Sequence, residues 1–232
     1  MAAATDAPTF NIVVALFPGV TQLDFTGPHQ VLARLPGAKI TAASLDGGEI
    51  EADGLVFGRL PTLASIDASK IDILLVPGGI GTGQAVENAA FIEQIKRLAA
   101  HAKYITSVCT GSLILGAAGL LKGKRAATHW AWRHSLPLYG AIPDDARVVR
   151  DGNIFTGGGV TAGIDFALTI VAEIAGPEAA QAIQLGIEYA PAPPFNSGRP
   201  ELAPPEVLAR VQGRYKERVD EVENAAKKAA IV

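Results

Sequence analysis

Short apolar runs and segments of helical period alternate along the first half of the chain. Phe10–Phe17 (FNIVVALF) is apolar, rich in β-branched residues and stops at Pro18-Gly19, the pattern of a strand buried on both faces of a parallel sheet. Runs of the same kind recur at Ala38–Leu45, Ile71–Pro77 and Lys103–Val108. Between them, Phe25–Leu35 (FTGPHQVLARL) and Asn88–Ala102 (NAAFIEQIKRLAAHA) carry apolar residues at helical spacing. Strand and helix in alternation predict an α/β fold around a mostly parallel sheet. Ser44–Gly58 (SLDGGEIEADGLVFG) breaks the alternation with hairpin dipeptides, and Ala146–Gly159 (ARVVRDGNIFTGGG) repeats the device before a glycine cluster.

Further along, two helices are expected over Val160–Ala175 and Pro177–Tyr189, divided by a C-cap glycine and a first-turn proline, Gly176-Pro177. Ala190–Pro200 (APAPPFNSGRP) has no period and reads as a surface connection. From Pro204 onward one helix places Val207, Val211, Tyr215, Val219 and Val222 on a single stripe. That stripe packs either on the body of the same chain or on a second copy.

Composition narrows the class. With 49% hydrophobic and 19% charged residues and a net charge of −3, the chain reads as a globular protein, one domain over residues 1–232 with 204–232 as its terminal helix. A chain of this length buries ~70–75% of its unfolded surface and needs no disulfide or metal to fold. Cys109 is the only cysteine, and His29, His101, His129 and His134 are scattered, so no metal site is expected. The opening MAAATDAPTF lacks the pattern of a signal peptide, and Asp165 and Glu173 interrupt the best apolar stretch; the reading is a cytoplasmic protein with no membrane partner. Slight acidity without a Lys/Arg block argues against nucleic acid.

Ligands of open α/β sheets bind outside the carboxyl ends of the strands, and those ends carry the unusual residues here. Asp24 follows the first strand just before a helix start, Pro77–Gly83 (PGGIGTG) follows the third, and Cys109 stands between YITSV and TGSLILGAAGLL. Each has a plain and a chemical reading. Gly78 and Gly79 form an ordinary turn, or they clear Cβ atoms so that the Gly79 N–H faces a ligand. Asp24 is a helix N-cap, or it keeps its proton beside a thiolate and serves as an acid. Cys109 is a small buried apolar residue, or a nucleophile on a strained strand-to-helix elbow. In the second case the helix N-terminus should lower its pKa below ~8.5, and the N–H of Thr110 should point where the Gly79 N–H points. His129 orients the cysteine or is a packed structural residue. Asp165 is expected to hydrogen-bond to backbone, and Lys122–Arg125 to be a solvated turn.

PGGIGTG, SVCTGSLILGAAGLLKGKRAATHW and TGGGVTAGIDFAL resemble the PfpI-type branch of the class I glutamine amidotransferase-like superfamily. FPGVTQLDFTGPHQVL with its Asp24, TSVCTG, ATHWAW and YAPAPPFNSGRP narrow the resemblance to the isonitrile hydratases of that branch, over nearly the whole chain. The resemblance implies a flavodoxin-like three-layer sandwich with helices on both faces of the sheet, and a homodimer. It also implies cofactor-free hydration of a small-molecule isonitrile to an N-substituted formamide, with Cys109 as nucleophile and Asp24 as general acid and base. Protease and deglycase relatives typically have Glu at the Asp24 position, and the proteases have His directly after the cysteine, where this chain has Thr110. A glyoxalase or amidase reaction at the same thiolate, or a ligand or redox sensor, is the alternative expectation.

Overall fold

The computed structural model describes residues 9–229; the segment Met1–Pro8, on which the signal-peptide expectation rests, lies outside the described residues. The strands are β1 (Phe10–Leu16), β2 (Ala38–Ser44), β3 (Gly48–Ala52), β4 (Leu55–Leu60), β5 (Ile73–Val76), β6 (Tyr104–Val108), β7 (Arg125–Ala126), β8 (Ile142–Pro143), β9 (Val148–Asp151) and β10 (Ile154–Gly157). The helices are α1 (Gln22–Leu32), α2 (Thr82–Glu87), α3 (Ala89–Ala99), α4 (Gly111–Ala117), α5 (Ala162–Ala175), α6 (Pro177–Gly186) and α7 (Pro205–Ala229).

The central sheet has the spatial order β2, β1, β5, β6, β10, β9, parallel throughout except for β9, which pairs antiparallel with β10 through the Gly152-Asn153 turn. Every residue of β5 and β10 is buried, so these strands have no solvent face and need cover on both sides. α1 packs on α5, while α2 packs on α4, and α7 on α2 and on the 3-10 segment Trp130–Tyr139. One contiguous set of buried apolar side chains runs from Ile12 to Ala225. The flavodoxin-like α/β expectation holds.

After β1 the chain crosses to β2 on one side; past the β3–β4 hairpin it returns to β5 on the other side of β1. The strand order therefore switches direction between β1 and β5, where a crevice opens outside the carboxyl ends. Pro18–Asp24, Pro77–Gly79 and Cys109 all leave the sheet at that edge.

Helix bounds differ from the sequence reading: α5 starts at Ala162 and not at Val160, and α6 ends at Gly186 and not at Tyr189. α1 starts at Gln22 and not near Phe25, so Asp24 lies inside its first turn. The stripe of α7 is buried most deeply at its far end, at Val222, Ala225 and Ala226, with Tyr215 and Val219 half-buried. Among the described residues no helix is long and apolar enough to cross a membrane.

Candidate active site

Cys109 joins β6 to α4 with a φ of 57°, in the left-handed region that side chains rarely adopt. Strain of this kind persists only where the surroundings fix it. Both polar groups of the residue are fixed: its N–H donates to the Gly157 carbonyl at 3.0 Å, and its carbonyl accepts from Thr128 Oγ1 at 3.0 Å and Ser112 Oγ at 3.3 Å. The end of β10 and the Thr128 segment thus clamp the elbow from outside its own sequence.

Asp24 is fully buried and does not cap α1. The cap position is Thr21, whose side chain makes no capping bond; instead the Gln22 N–H donates to Asp53 Oδ2 at 2.8 Å. Asp53 sits at the tip of the β3–β4 hairpin with a φ of 52°, and Phe57 of that hairpin meets Phe25 of α1 edge-on at 4.8 Å. With the helix start satisfied from the hairpin, Asp24 Oδ2 accepts the Gly78 N–H at 2.8 Å. Its Oδ1 has no hydrogen-bond partner among the described residues. Burial raises the Asp24 pKa to about 7; the Gly78 N–H and the nearby Cys109 thiol pull the other way, and the Asp53 charge adds a small push upward.

The thiol shifts opposite to the sequence expectation. Cys109 is 5% exposed, and burial first, then the Asp24 charge, push its pKa well above the ordinary value despite the Thr110 N–H and hydroxyl, which favour the thiolate. The helix end is the weaker effect, worth ~0.3–1 kcal/mol, while burial of an ionisable group moves its pKa by up to ~3–5 units. With both pKa values raised, Asp24 and Cys109 together hold one proton from about pH 7 upward into the alkaline range. They titrate as a pair and not as two independent residues.

The glycine loop also behaves differently from the expectation. The Gly79 N–H does not face outward; it donates to Thr110 Oγ1 at 3.0 Å, and that hydroxyl lies 2.7 Å from Thr82 Oγ1. A Cβ on Gly78 would overlap the hydroxyl and amide nitrogen of Thr110, and Gly79 has a φ of 153°. These glycines let the loop lie against Thr110 and aim Asp24, and the Thr110 N–H is the amide turned to the sulfur.

His129 fits its structural reading. Its ring stands among Trp130, Trp132 and Tyr215 at 5.2–5.4 Å, Nδ1 accepts the Ala131 N–H at 3.3 Å, and burial lowers its pKa to about 4. Asp165 binds side chains, not backbone as expected: Arg147 Nε at 2.8 Å and the Tyr189 hydroxyl at 3.0 Å, because Arg147 of β9's approach reaches across to α5. Lys124 and Arg125 of the expected solvated turn pair with Asp151 and Asp144. Asp53, Thr82 and Thr128 are the residues that sequence reasoning missed; the Asp53-Gly54 dipeptide signalled a turn but not the helix it caps. Among the described residues no group of three or more His, Cys, Asp or Glu side chains is arranged to hold a metal ion.

A strained cysteine elbow at the carboxyl edge of a mostly parallel sheet, beside a buried carboxyl, defines a nucleophile-elbow α/β protein. The chain belongs to the DJ-1/PfpI family, whose pattern it matches over residues 11–173. It is 51% identical over 218 residues to the isonitrile hydratase of Pseudomonas putida, covering 92% of this chain and 95% of that one. A THiJ/PfpI family protein from Pseudomonas syringae superposes with a TM-score of 0.92 at 41% identity, over 97% of this chain and 94% of that one. Drosophila melanogaster DJ-1beta superposes with a TM-score of 0.70 at 26% identity, over 79% of this chain and all of that one.

Two stability outcomes follow from the site. A carboxyl whose folded pKa lies near 7, against 3.8 as its ordinary value, gives stability that is complete below the lower value and lost as pH rises to the higher one. Asp24→Asn removes that loss, so its unfolding free energy relative to wild type, followed by denaturation, should climb between pH 4 and 7 and then level off, by at most ~4 kcal/mol. A difference that stays flat over this range contradicts the raised pKa. Asp53→Ala should lower stability by ~1 kcal/mol through loss of the α1 cap, with most of it restored in Asp53→Asn; equal melting temperatures in thermal denaturation would contradict the capping role.

Proposed function

We propose that the protein hydrates isonitriles to N-substituted formamides at Cys109, with no metal or organic cofactor. The reading is carried by the buried Asp24–Cys109 pair, set beside Thr110 in a chain 51% identical to a protein named isonitrile hydratase. An isonitrile carbon accepts a soft nucleophile and, once attacked, bears a lone pair on that same carbon. Nucleophile and acid must therefore face one atom, as an adjoining thiol and carboxyl can.

Transfer of the shared proton from Cys109 to Asp24 makes the thiolate without losing a proton to solvent. Sγ bonds to the isonitrile carbon while Asp24 protonates it, leaving a thioimidate on Cys109 and a carboxylate at Asp24. The carboxylate takes a proton from water as the oxygen adds to that carbon, and passes it to the nitrogen. Collapse of the tetrahedral adduct breaks the carbon–sulfur bond, releases the formamide and returns the hydroxyl proton to the pair. The Thr110 N–H steadies the sulfur when it bears charge. Gly78 orients Asp24, and Gly79 orients Thr110. A readily oxidised sensor thiol is the poorer reading, because Cys109 is buried with a raised pKa.

The same reading includes one domain spanning the chain, supported by the contiguous core. It includes a cytoplasmic setting, with which a single free cysteine is in keeping. It also includes a homodimer, for which the exposed Leu55 and Val56 of the hairpin offer apolar contact.

Cys109→Ala should abolish formamide production from an aryl isonitrile, and Asp24→Asn should slow it ~10²–10⁴-fold. In wild type, kcat/KM should rise with pH through an apparent pKa near 7, as the doubly protonated pair loses its second proton, and this limb should vanish in Asp24→Asn. Consumption of methylglyoxal by wild type with no formamide from the isonitrile would overturn the assignment.

A further inference from the structure

Thr128 lies between β7 and the Trp130–Tyr139 segment, buried, and donates its hydroxyl to the Cys109 carbonyl at 3.0 Å. That carbonyl and the Thr110 N–H are the two ends of one trans peptide unit. In such a unit the C=O and the N–H point in opposite directions within one plane. A group that holds the carbonyl on one side therefore aims the amide on the other, and this amide is the one turned to the Cys109 sulfur.

The other contacts at the elbow grip different groups. The Gly157 carbonyl takes the Cys109 N–H, which belongs to the preceding peptide. The Gly79 N–H and the Thr82 hydroxyl hold the Thr110 side chain, leaving the peptide plane free to turn about the bonds at the two α-carbons. Gly78 clears space beside the Thr110 nitrogen, but its own N–H and carbonyl go to Asp24 and Thr21. The bonds to the Cys109 carbonyl come from Thr128 and, at the longer 3.3 Å, from Ser112. Thr128 is itself fixed on both flanks. The Ala127 N–H donates to Thr156 Oγ1 of β10 at 2.8 Å, and the His129 ring packs edge-on against Tyr215 of α7 at 5.3 Å.

We infer that Thr128 is a positioning residue for the nucleophile: its hydroxyl sets the tilt of the Cys109–Thr110 peptide, so that the Thr110 amide meets the sulfur whenever the sulfur carries charge. Donation to the carbonyl also polarises the peptide and makes its N–H the stronger donor. The inference rests on the hydratase reading for the reaction that Thr128 serves, but not for its support of the thiolate.

The test compares wild type with Thr128→Val, Thr128→Ser and Ser112→Ala by the rate at which iodoacetamide alkylates Cys109 at pH 8, read by mass. Valine keeps the shape of threonine, but its methyl cannot donate or sit as near an oxygen, so the carbonyl is released and pushed aside. A thiolate that loses its N–H bond becomes ~10–100-fold scarcer, and the greater nucleophilicity of the more basic sulfur recovers about half of that on a logarithmic scale. Alkylation of Thr128→Val should therefore be ~3–10-fold slower than wild type, and Thr128→Ser should return to within ~2-fold. For formamide production, kcat of Thr128→Val should fall ~10-fold with KM within a factor of ~3. A Thr128→Val protein that melts earlier yet alkylates at the wild-type rate or faster overturns the inference, since the threonine then serves only the fold. Unchanged kcat, in a wild type that makes formamide, overturns it as well. If Thr128→Val does not fold, Ser112→Ala decides: alkylation ~2-fold slower, in keeping with the longer bond, supports the inference, and an unchanged rate overturns it. Absence of formamide from wild type overturns the hydratase reading instead and leaves the alkylation rates to judge Thr128.

Discussion

The left-handed backbone at Cys109 is the constraint around which the site is arranged. A side chain adopts that conformation only when its peptide groups have no better partners elsewhere. Here the N–H is taken by β10 and the carbonyl by Thr128 and Ser112. β10 in turn lies beside β6 because the β9–β10 hairpin completes the sheet on that side. The sheet's own pairing therefore fixes where the sulfur stands, and the change of strand direction between β1 and β5 brings Asp24 to meet it.

Desolvation then decides the chemistry of the pair. A helix N-terminus beside a thiol argues for a lowered pKa, but a short helix adds less than burial removes. The outcome is a thiol and a carboxyl that both hold protons more tightly than usual and share one near neutral pH. For the proposed hydration, which protonates the same carbon the sulfur attacks, a shared proton is more useful than a permanently ionised thiolate, because the step that forms the nucleophile also forms the acid.

Much of this was legible in the chain. The apolar runs ending at Pro18, Pro77 and Cys109 located the strands and their carboxyl ends, because a strand buried on both faces has no polar positions to confuse the pattern. The elbow and Asp24 were visible as residues out of place at those ends. What escaped was the set of relations that cross the sequence. The cap on α1 comes from Asp53, thirty-one positions away, so local signals set the helix start too late. The Gly79 amide looked free because its acceptor, the Thr110 hydroxyl, belongs to another loop. The sign of the thiol shift depends on how completely Cys109 is enclosed, which no neighbouring residue type reveals.

The shared proton is tested most directly by titrating the thiolate absorbance near 240 nm in wild type and Asp24→Asn, with Cys109→Ala subtracted as background. The wild-type thiol should ionise well above its ordinary value, and the loss of the Asp24 charge should bring that ionisation to lower pH. A thiol already ionised below pH 8, and unmoved by Asp24→Asn, would contradict the account.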